Sequence, residues 1–310
     1  MNIFTLTLNP AVDLYAEAKS FALHCESVAT VSSRDAGGKG INISRALAAL
    51  EMKSEAFVVL GEENGKEFSH MLERDGMAHT ALFTEGRIRE NITVRVAGER
   101  ETRLSFVGFM GADALLDRLE ALLLPRIVPG DAVTFTGSVP LGISHDRTMA
   151  FLSRVRARGA QLVLDSKSLT REDILALRPA LIKPNEEEAS AYIGREVKSL
   201  SDCVAGAREL SLSGVSCVMV SFGGEGAILA VSGHVYLARP PRITPVSTVG
   251  AGDASIAGFL YAASRGESAE ECLRYAVASG TAACLTEGTR PPEKEVISRS
   301  LPLVAVNNVL

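Results

Sequence analysis

At 310 residues the chain can bury a large core, and it is long for one simple domain but short for two full ones. Its 46% hydrophobic and 22% charged residues are those of a globular protein, and a net charge of −5 with a pI near 5.7 excludes any general attraction to nucleic acid or an anionic membrane. The five cysteines (Cys25, Cys203, Cys217, Cys272, Cys284) are scattered and form no Cys-x-x-Cys pair, which favours reduced thiols over a disulfide frame or zinc site. The histidines show no metal spacing, no apolar stretch is long enough to span a bilayer, and residues 1–8 carry no basic n-region, so a cytoplasmic protein is expected.

Residues 2–8 predict a first strand. Pro10 stops its ladder, which puts Asp13 just beyond the strand end, where open α/β sheets present ligand-binding groups. Residues 14–34 mix short β-like runs with charge and lack a helical stripe. Asp35-Ala36-Gly37-Gly38-Lys39-Gly40-Ile41-Asn42 then leads into a helix whose apolar positions 43, 46, 47 and 50 follow helical spacing. It is not a P-loop, since Gly-x-x-x-x-Gly-Lys-Ser/Thr is absent. Its amides suit a polar substrate, with Asn42 bonding hydroxyls; a tight turn with a cap is the alternative.

A strand over 56–60 and a helix over 66–75 follow. From Arg89 the pattern turns β-like, with 91–96 and 102–106 patterned as a hairpin around Gly98-Glu99. Residues 14–34 and 88–107 are therefore expected to form one small sheet standing off the main body. Its exposed edges would invite pairing with a second copy, which predicts a homodimer.

After residue 112 the alternation is regular. Helices over 113–124, 145–157, 170–176, 186–193 and 200–212 separate strands over 132–135, 162–165, 180–182 and 217–220. That is the pattern of a parallel sheet covered on both faces. Thr136-Gly137-Ser138-Val139-Pro140, Lys183-Pro184-Asn185 and Ser221-Phe222-Gly223-Gly224-Glu225-Gly226 each follow a strand, so all should converge on one sheet edge. A hairpin over 227–238 and helices over 253–265 and 268–284 close the fold, and 304–306 is at most an edge strand.

The chain is organised around Ser247-Thr248-Val249-Gly250-Ala251-Gly252-Asp253, which opens the first of those last two helices. Glycines let a ligand approach the main chain, and the unpartnered amides at a helix start form a site for an anion such as a phosphoryl group. Asp253 stands at the same spot and can take a proton from a hydroxyl. Taken alone, this stretch allows equally that Asp253 only caps the helix.

Two glycine-rich helix starts, a Lys183-Pro184-Asn185-x-x-Glu188 and a terminal Gly250-Ala251-Gly252-Asp253, in this order, resemble the ribokinase-like (PfkB) sugar kinases over essentially the whole chain. Thr7-Leu8-Asn9-Pro10-Ala11-Val12-Asp13, Arg89-x-Asn91 and Thr136 through Pro140 are similar to that family's phosphosugar branch. The resemblance implies one α/β kinase domain over 1–310: a three-layer α/β/α sandwich with a mostly parallel central sheet and a β-sheet lid from 14–34 and 88–107. It also implies ATP- and Mg²⁺-dependent phosphorylation of a ketohexose monophosphate. Fructose 1-phosphate comes first among the candidates, and tagatose 6-phosphate and fructose 6-phosphate are the alternatives.

The same resemblance assigns roles. Asp253 would be the general base, and the amides of Gly250, Ala251 and Gly252 would hold charge developing on the γ-phosphoryl group. Asn185 and Glu188 would hold Mg²⁺ through water, and Lys183 would neutralise ATP phosphate charge. Ser221, Gly223, Gly226 and Ser247 would line the nucleotide cleft. Asp13, Gly38 and Asn42 would hold sugar hydroxyls, with Lys39, Arg89 and Ser138 near the sugar's own phosphate. The chain departs from the branch in three loops bordering the sugar: 24–30 lacks a basic residue, 107–111 lacks Pro-Gly-Pro, and Asp165-Ser166-Lys167-Ser168 lacks a glycine. A binding protein without catalysis would not need Asp253, and a Rossmann dehydrogenase fails because no Gly-x-Gly-x-x-Gly follows the first strand.

Overall fold

Ile3–Thr7 (β1) is buried at every position, as a strand covered on both faces must be. The computed structural model describes residues 1–99 and 101–310; Arg100, within the 88–107 segment, lies outside the described residues. After β1 come Ala11–Ala18 (β2), Ala29–Gly37 (β3), Lys39–Ala49 (α1), Glu55–Gly61 (β4) and Gly65–Arg74 (α2). His79–Thr84 (β5), Arg89–Val96 (β6), Thr102–Leu104 (β7) and Asp113–Leu123 (α3) follow. The regular half runs Ala132–Thr136 (β8), His145–Ala157 (α4), Gln161–Asp165 (β9), Arg171–Leu177 (α5), Leu181–Ile182 (β10), Glu186–Ile193 (α6) and Leu200–Leu212 (α7). It closes with Cys217–Ser221 (β11), Ala227–Val231 (β12), His234–Arg239 (β13), Ala251–Ser264 (α8), Ala269–Ala283 (α9), Lys294–Ser300 (α10) and Ala305–Asn308 (β14).

The large sheet has ten strands in the order β14-β13-β12-β11-β10-β9-β8-β1-β4-β5. Pairing is parallel from β5 through β11 and antiparallel from β11 to β14. Each face carries its own core. One packs Phe57, Phe68, Leu116, Phe151 and Leu210 under α2 to α7, and the other packs Ile43, Leu47, Ile256 and Leu273 under α1 and α8 to α10. This is the three-layer sandwich expected, with the apolar runs of the strands explained by double coverage.

The small sheet has the order β3-β2-β6-β7, built from the two segments expected to form it. β2 pairs in parallel with β6 (Ala11 opposite Arg89, Asp13 opposite Asn91), while β3 and β7 are antiparallel flanks. Asp13 requires a correction. β1 stops at Thr7, before Pro10, but β2 of the other sheet begins directly after Pro10, so Asp13 lies inside β2 and is buried, rather than in a loop past a strand end. Two further elements were not anticipated: β5 at the end of the large sheet, and α10. The last residues form a full edge strand, β14, paired to β13 from Ala305 opposite Arg239. No helix among the described residues is long and apolar enough to cross a membrane.

Candidate active site

The strand ends converge as the parallel order demands. A cavity of ≈ 660 Å³ opens at the C-terminal ends of β1, β8, β9 and β10, between the starts of α1 and α8 and roofed by the small sheet. Asp253, in the first turn of α8, is 6% exposed and lines this cavity. Its side-chain partner among the described residues is Asn42, whose Nδ2 donates to Oδ2 at 2.8 Å, so the carboxylate is aimed into the cavity and does not cap its own helix. Burial, seconded by the negative charge of Asp165, pushes the Asp253 carboxyl up to about 6. The Asn42 hydrogen bond and the ammonium groups of Lys39 and Lys183 oppose that rise.

The start of α8 explains its glycines. Gly250 caps the helix at φ 81°, in the left-handed region that a side chain strains to adopt. A β-carbon on Gly252 would stand 3.0 Å from Lys183 Nζ, so the bare backbone is what lets the ammonium lie against the helix start. A helix start with its dipole and an adjacent cation give this corner the chemistry to hold an anion, although Ala251 N already donates to the Thr248 carbonyl at 3.4 Å.

Lys39 and Lys183 share one partner. Lys39 Nζ donates to Asp165 Oδ1 at 2.9 Å, and Lys183 Nζ lies 3.5 Å from Oδ2. Burial pulls the Lys39 ammonium down, but the Asp165 and Asp253 carboxylates outweigh it and hold its pKa above the ordinary lysine value.

At the other end, the small sheet supplies the polar groups. Asp13 Oδ1 accepts from Asn91 Nδ2 and from Arg103 Nη2, both at 2.9 Å. Burial raises the Asp13 carboxyl above its usual range, with Arg103 and Asn91 working against it. Arg89 donates through Nε, Nη1 and Nη2 to the carbonyls of Pro10, Phe106 and Asn9, which spends three of its five donors on the junction between the sheets. Gly38 and Ser138 also line the cavity, and Ser138 Oγ accepts from Asn9.

Other residues singled out in the sequence stay outside this cavity's lining. Asn185 and Glu188 cap α6 reciprocally: Glu188 N donates to Asn185 Oδ1 at 2.8 Å, and Asn185 N to Glu188 Oε2 at 3.1 Å. Ser221 ends β11 and bridges to Asn185, while Gly223 faces open space. Gly226 has a packing reason to be glycine, because a β-carbon there would strike the Ala238 carbonyl. Ser247 is buried, accepting from Val249 N and donating to Glu101, and Ala251 is the first residue of α8. Conversely, Asp165, Arg103, Ser105, Lys167 and Thr289 line the cavity without having been assigned roles. Asp165 ends a parallel strand, and that position was the available signal. Nothing local marks Arg103.

Residues 9–296 match the pfkB family of carbohydrate kinases. The chain belongs to that family. It is 33% identical over 311 residues to the 1-phosphofructokinase of Rhodobacter capsulatus, covering 100% of this chain and 98% of the relative. It is 30% identical over 299 residues to the 1-phosphofructokinase of Vibrio cholerae, covering 96% and 93%. Among solved structures, phosphofructokinase-2 from Escherichia coli in complex with substrates and products matches with a TM-score of 0.91 and 28% identity, over 97% of this chain and 99% of that one. The sandwich with a separate small sheet is thus the fold of a pfkB carbohydrate kinase, and the cavity lies where its two sheets meet.

Proposed function

We propose that this carbohydrate kinase moves the γ-phosphoryl group of ATP to a hydroxyl of a ketohexose monophosphate, turning fructose 1-phosphate into fructose 1,6-bisphosphate. The observation that carries the reading is Asp253: a buried carboxylate, oriented by Asn42, with its pKa near 6, in the first turn of a helix. Ionised at neutral pH yet basic enough to accept a proton, it deprotonates the acceptor hydroxyl as that oxygen attacks phosphorus. The amides of Gly250, Ala251 and Gly252, with Lys183, meet the charge spreading over the transferring group. Asp13, Gly38 and Asn42 take sugar hydroxyls. The cations of the small-sheet end, Arg103 and Arg89, with Lys39 across the cavity beside Asp165, answer a second phosphate, which a plain sugar lacks.

Mg²⁺ would neutralise and orient the nucleotide's phosphates. Glu188 suits a water-mediated hold, because its Oε1 stays outside the capping box, 3.7 Å from Lys167 Nζ; Asn185 steadies Glu188 through that box. Ser221, Gly223, Gly226 and Ser247 line the nucleotide side. Residues 1–310 act as one domain, with the small sheet as its lid, in the cytoplasm. Val31 and Leu104 on the edge strands of the small sheet, and Leu23, Val28, Phe106 and Val107 in the segments beside those strands, are exposed, and these apolar side chains support a homodimer through this sheet.

A second reading, fructose 6-phosphate or tagatose 6-phosphate as acceptor, is favoured by the likeness to phosphofructokinase-2 and by the departures at 24–30 and 107–111. A coupled ADP-release assay across fructose 1-phosphate, both 6-phosphates, fructose and ribose decides. Fructose 1-phosphate is expected to lead in kcat/KM by at least about tenfold, the weight of one charge-assisted contact. Equal use of unphosphorylated sugars would make the protein a plain sugar kinase.

A further inference from the structure

Asp165 is an anion in the wall of a pocket whose chemistry calls for cations. It is 4% exposed and stands at the end of β9, between Lys39 on the sugar side and Lys183 on the nucleotide side. Its backbone is anchored: Asp165 pairs with Thr136 of β8, and its carbonyl accepts from Gly137 N at 3.0 Å. The next residue is held as firmly, with Ser166 Oγ donating to the Gly137 carbonyl at 2.6 Å and Tyr192 OH donating to the Ser166 carbonyl at 2.7 Å. A buried ion pair is a poor stability device, since desolvation offsets the attraction. Here one carboxylate binds two ammonium groups, and all three charges share a cavity with Asp253.

We propose that Asp165 is a positioning residue for phosphoryl transfer: it holds Lys39 and Lys183 on one wall, ready for phosphate oxygens, and keeps both ammonium groups off the carboxylate of Asp253. The inference rests on Asp253 being the base, as proposed above. The groups facing Asp253 are Asp165, Lys39, Lys183 and the Asn42 amide. Asp165 makes Asp253 more basic directly, by like charge, and indirectly, by occupying the two lysines. Without it, one anion is lost and two cations are freed. Both changes favour ionised Asp253 and weaken it as a base.

The test is Asp165→Asn, which keeps the shape and removes the charge. The acid limb of kcat/KM should move down by about 0.5–1 pH unit, with the plateau kcat falling about tenfold or more. Lys39→Gln removes a cation instead and should move the same limb up, so it keeps the test open if the first variant fails to fold. A readout without turnover accompanies both: the pH window over which each protein and its Asp253→Asn counterpart diverge in unfolding free energy, which follows Asp253 protonation alone. Limb and window shifting together, down for Asp165→Asn and up for Lys39→Gln, supports the proposal. A window that stays fixed in both variants overturns it. A window that shifts while the limb does not would leave the Asp165 arrangement standing and sink Asp253 as the base.

Discussion

The ten-stranded and four-stranded sheets meet the same cavity in different ways. In the large sheet, β1 and β8 are buried throughout, and its contributions to the cavity come from the last residues of strands (Thr7, Thr136, Asp165), from just beyond them (Lys183 after β10), or from helix starts (Lys39 in α1, Asp253 in α8). In the small sheet, Asp13, Asn91 and Arg103 project from within strands onto one face, while Val31 is 59% and Leu104 46% exposed. A strand buried on both faces has a side chain to spare for a ligand only at its end. The small sheet instead spends alternate residues on the cavity and leaves apolar side chains uncovered on its two edge strands, β3 and β7. On the reading proposed above, the transfer machinery stands on the large body, which also lends Gly38, Lys39 and Asn42 to the sugar, while the small sheet adds Asp13, Asn91 and Arg103.

Substitutions that respect or cross this division test it. The largest effect belongs to Asp253→Asn: kcat should fall roughly 10²–10⁴-fold, the scale of a positioned base, with the fold intact. Turnover near that of the unaltered enzyme would sink the base assignment. In the unaltered enzyme kcat/KM should drop about tenfold per pH unit below a pKa near 6, because protonated Asp253 accepts nothing. The same shift has a cost in stability. A carboxyl at about 6 in the folded state and 3.8 unfolded contributes stability below pH 4 that is lost as pH rises through 6. Asp253→Asn should therefore melt higher than the unaltered protein at pH 8, by up to about 3 kcal/mol, and the advantage should vanish near pH 4.

Within the large sheet, Phe57→Ala should cost about 3–5 kcal/mol in denaturant unfolding, since Phe57 is fully buried and stacks edge-on against Phe4 with centroids 6.0 Å apart. A loss under about 1 kcal/mol would mean that this core relaxes around the cavity. In the small sheet the same measurement should respond less, and kinetics should respond more. Arg103→Ala should raise KM for the sugar phosphate about 10- to 150-fold, equivalent to about 1.5–3 kcal/mol, with KM for ATP nearly unchanged. Arg89→Ala should share that signature but also loosen the sheet junction, since Arg89 holds three carbonyls there. Parallel rises in both KM values for Arg103→Ala would refute the division of labour.

How far the sequence discloses this molecule follows the same line. The strands from β8 to β11 are apolar runs between helices, legible because double burial leaves a continuous signature. The start of α8 was legible only in company: alone it allowed a cap as readily as a base, and the second glycine-rich helix start with Lys183-Pro184-Asn185 decided between them. β5 was not, because an end strand with one buried residue in six, Leu82, carries no clear pattern. Nor was α10, at seven residues too short for periodicity to show. Asp13 was misplaced because Pro10 says only that a ladder stops, and not that the chain crosses to a second sheet. Arg103 meets Asp13 across 90 residues of sequence, and Asp165 gathers Lys39 from 126 residues away. Only the topology makes those meetings.

The smallest effect on the monomer should come from the open face of the small sheet, and it separates folding from assembly. Leu104 lies on β7, the last strand of that sheet, with nearly half its surface exposed. Replacing it with Asp removes little buried area, so unfolding free energy at low protein concentration should change by less than about 0.5 kcal/mol. If the face is covered by a second copy, the introduced carboxylate must be desolvated in an apolar contact, a cost of several kcal/mol per ion. Two such sites in a symmetric pair double that cost. Light scattering at micromolar concentration should then show the unaltered protein near twice its 32.8 kDa chain mass and Leu104→Asp near one. Equal masses for both, at either value, would remove this face from the interface. A monomeric but fully active unaltered enzyme would show that the small sheet serves the substrate without a partner.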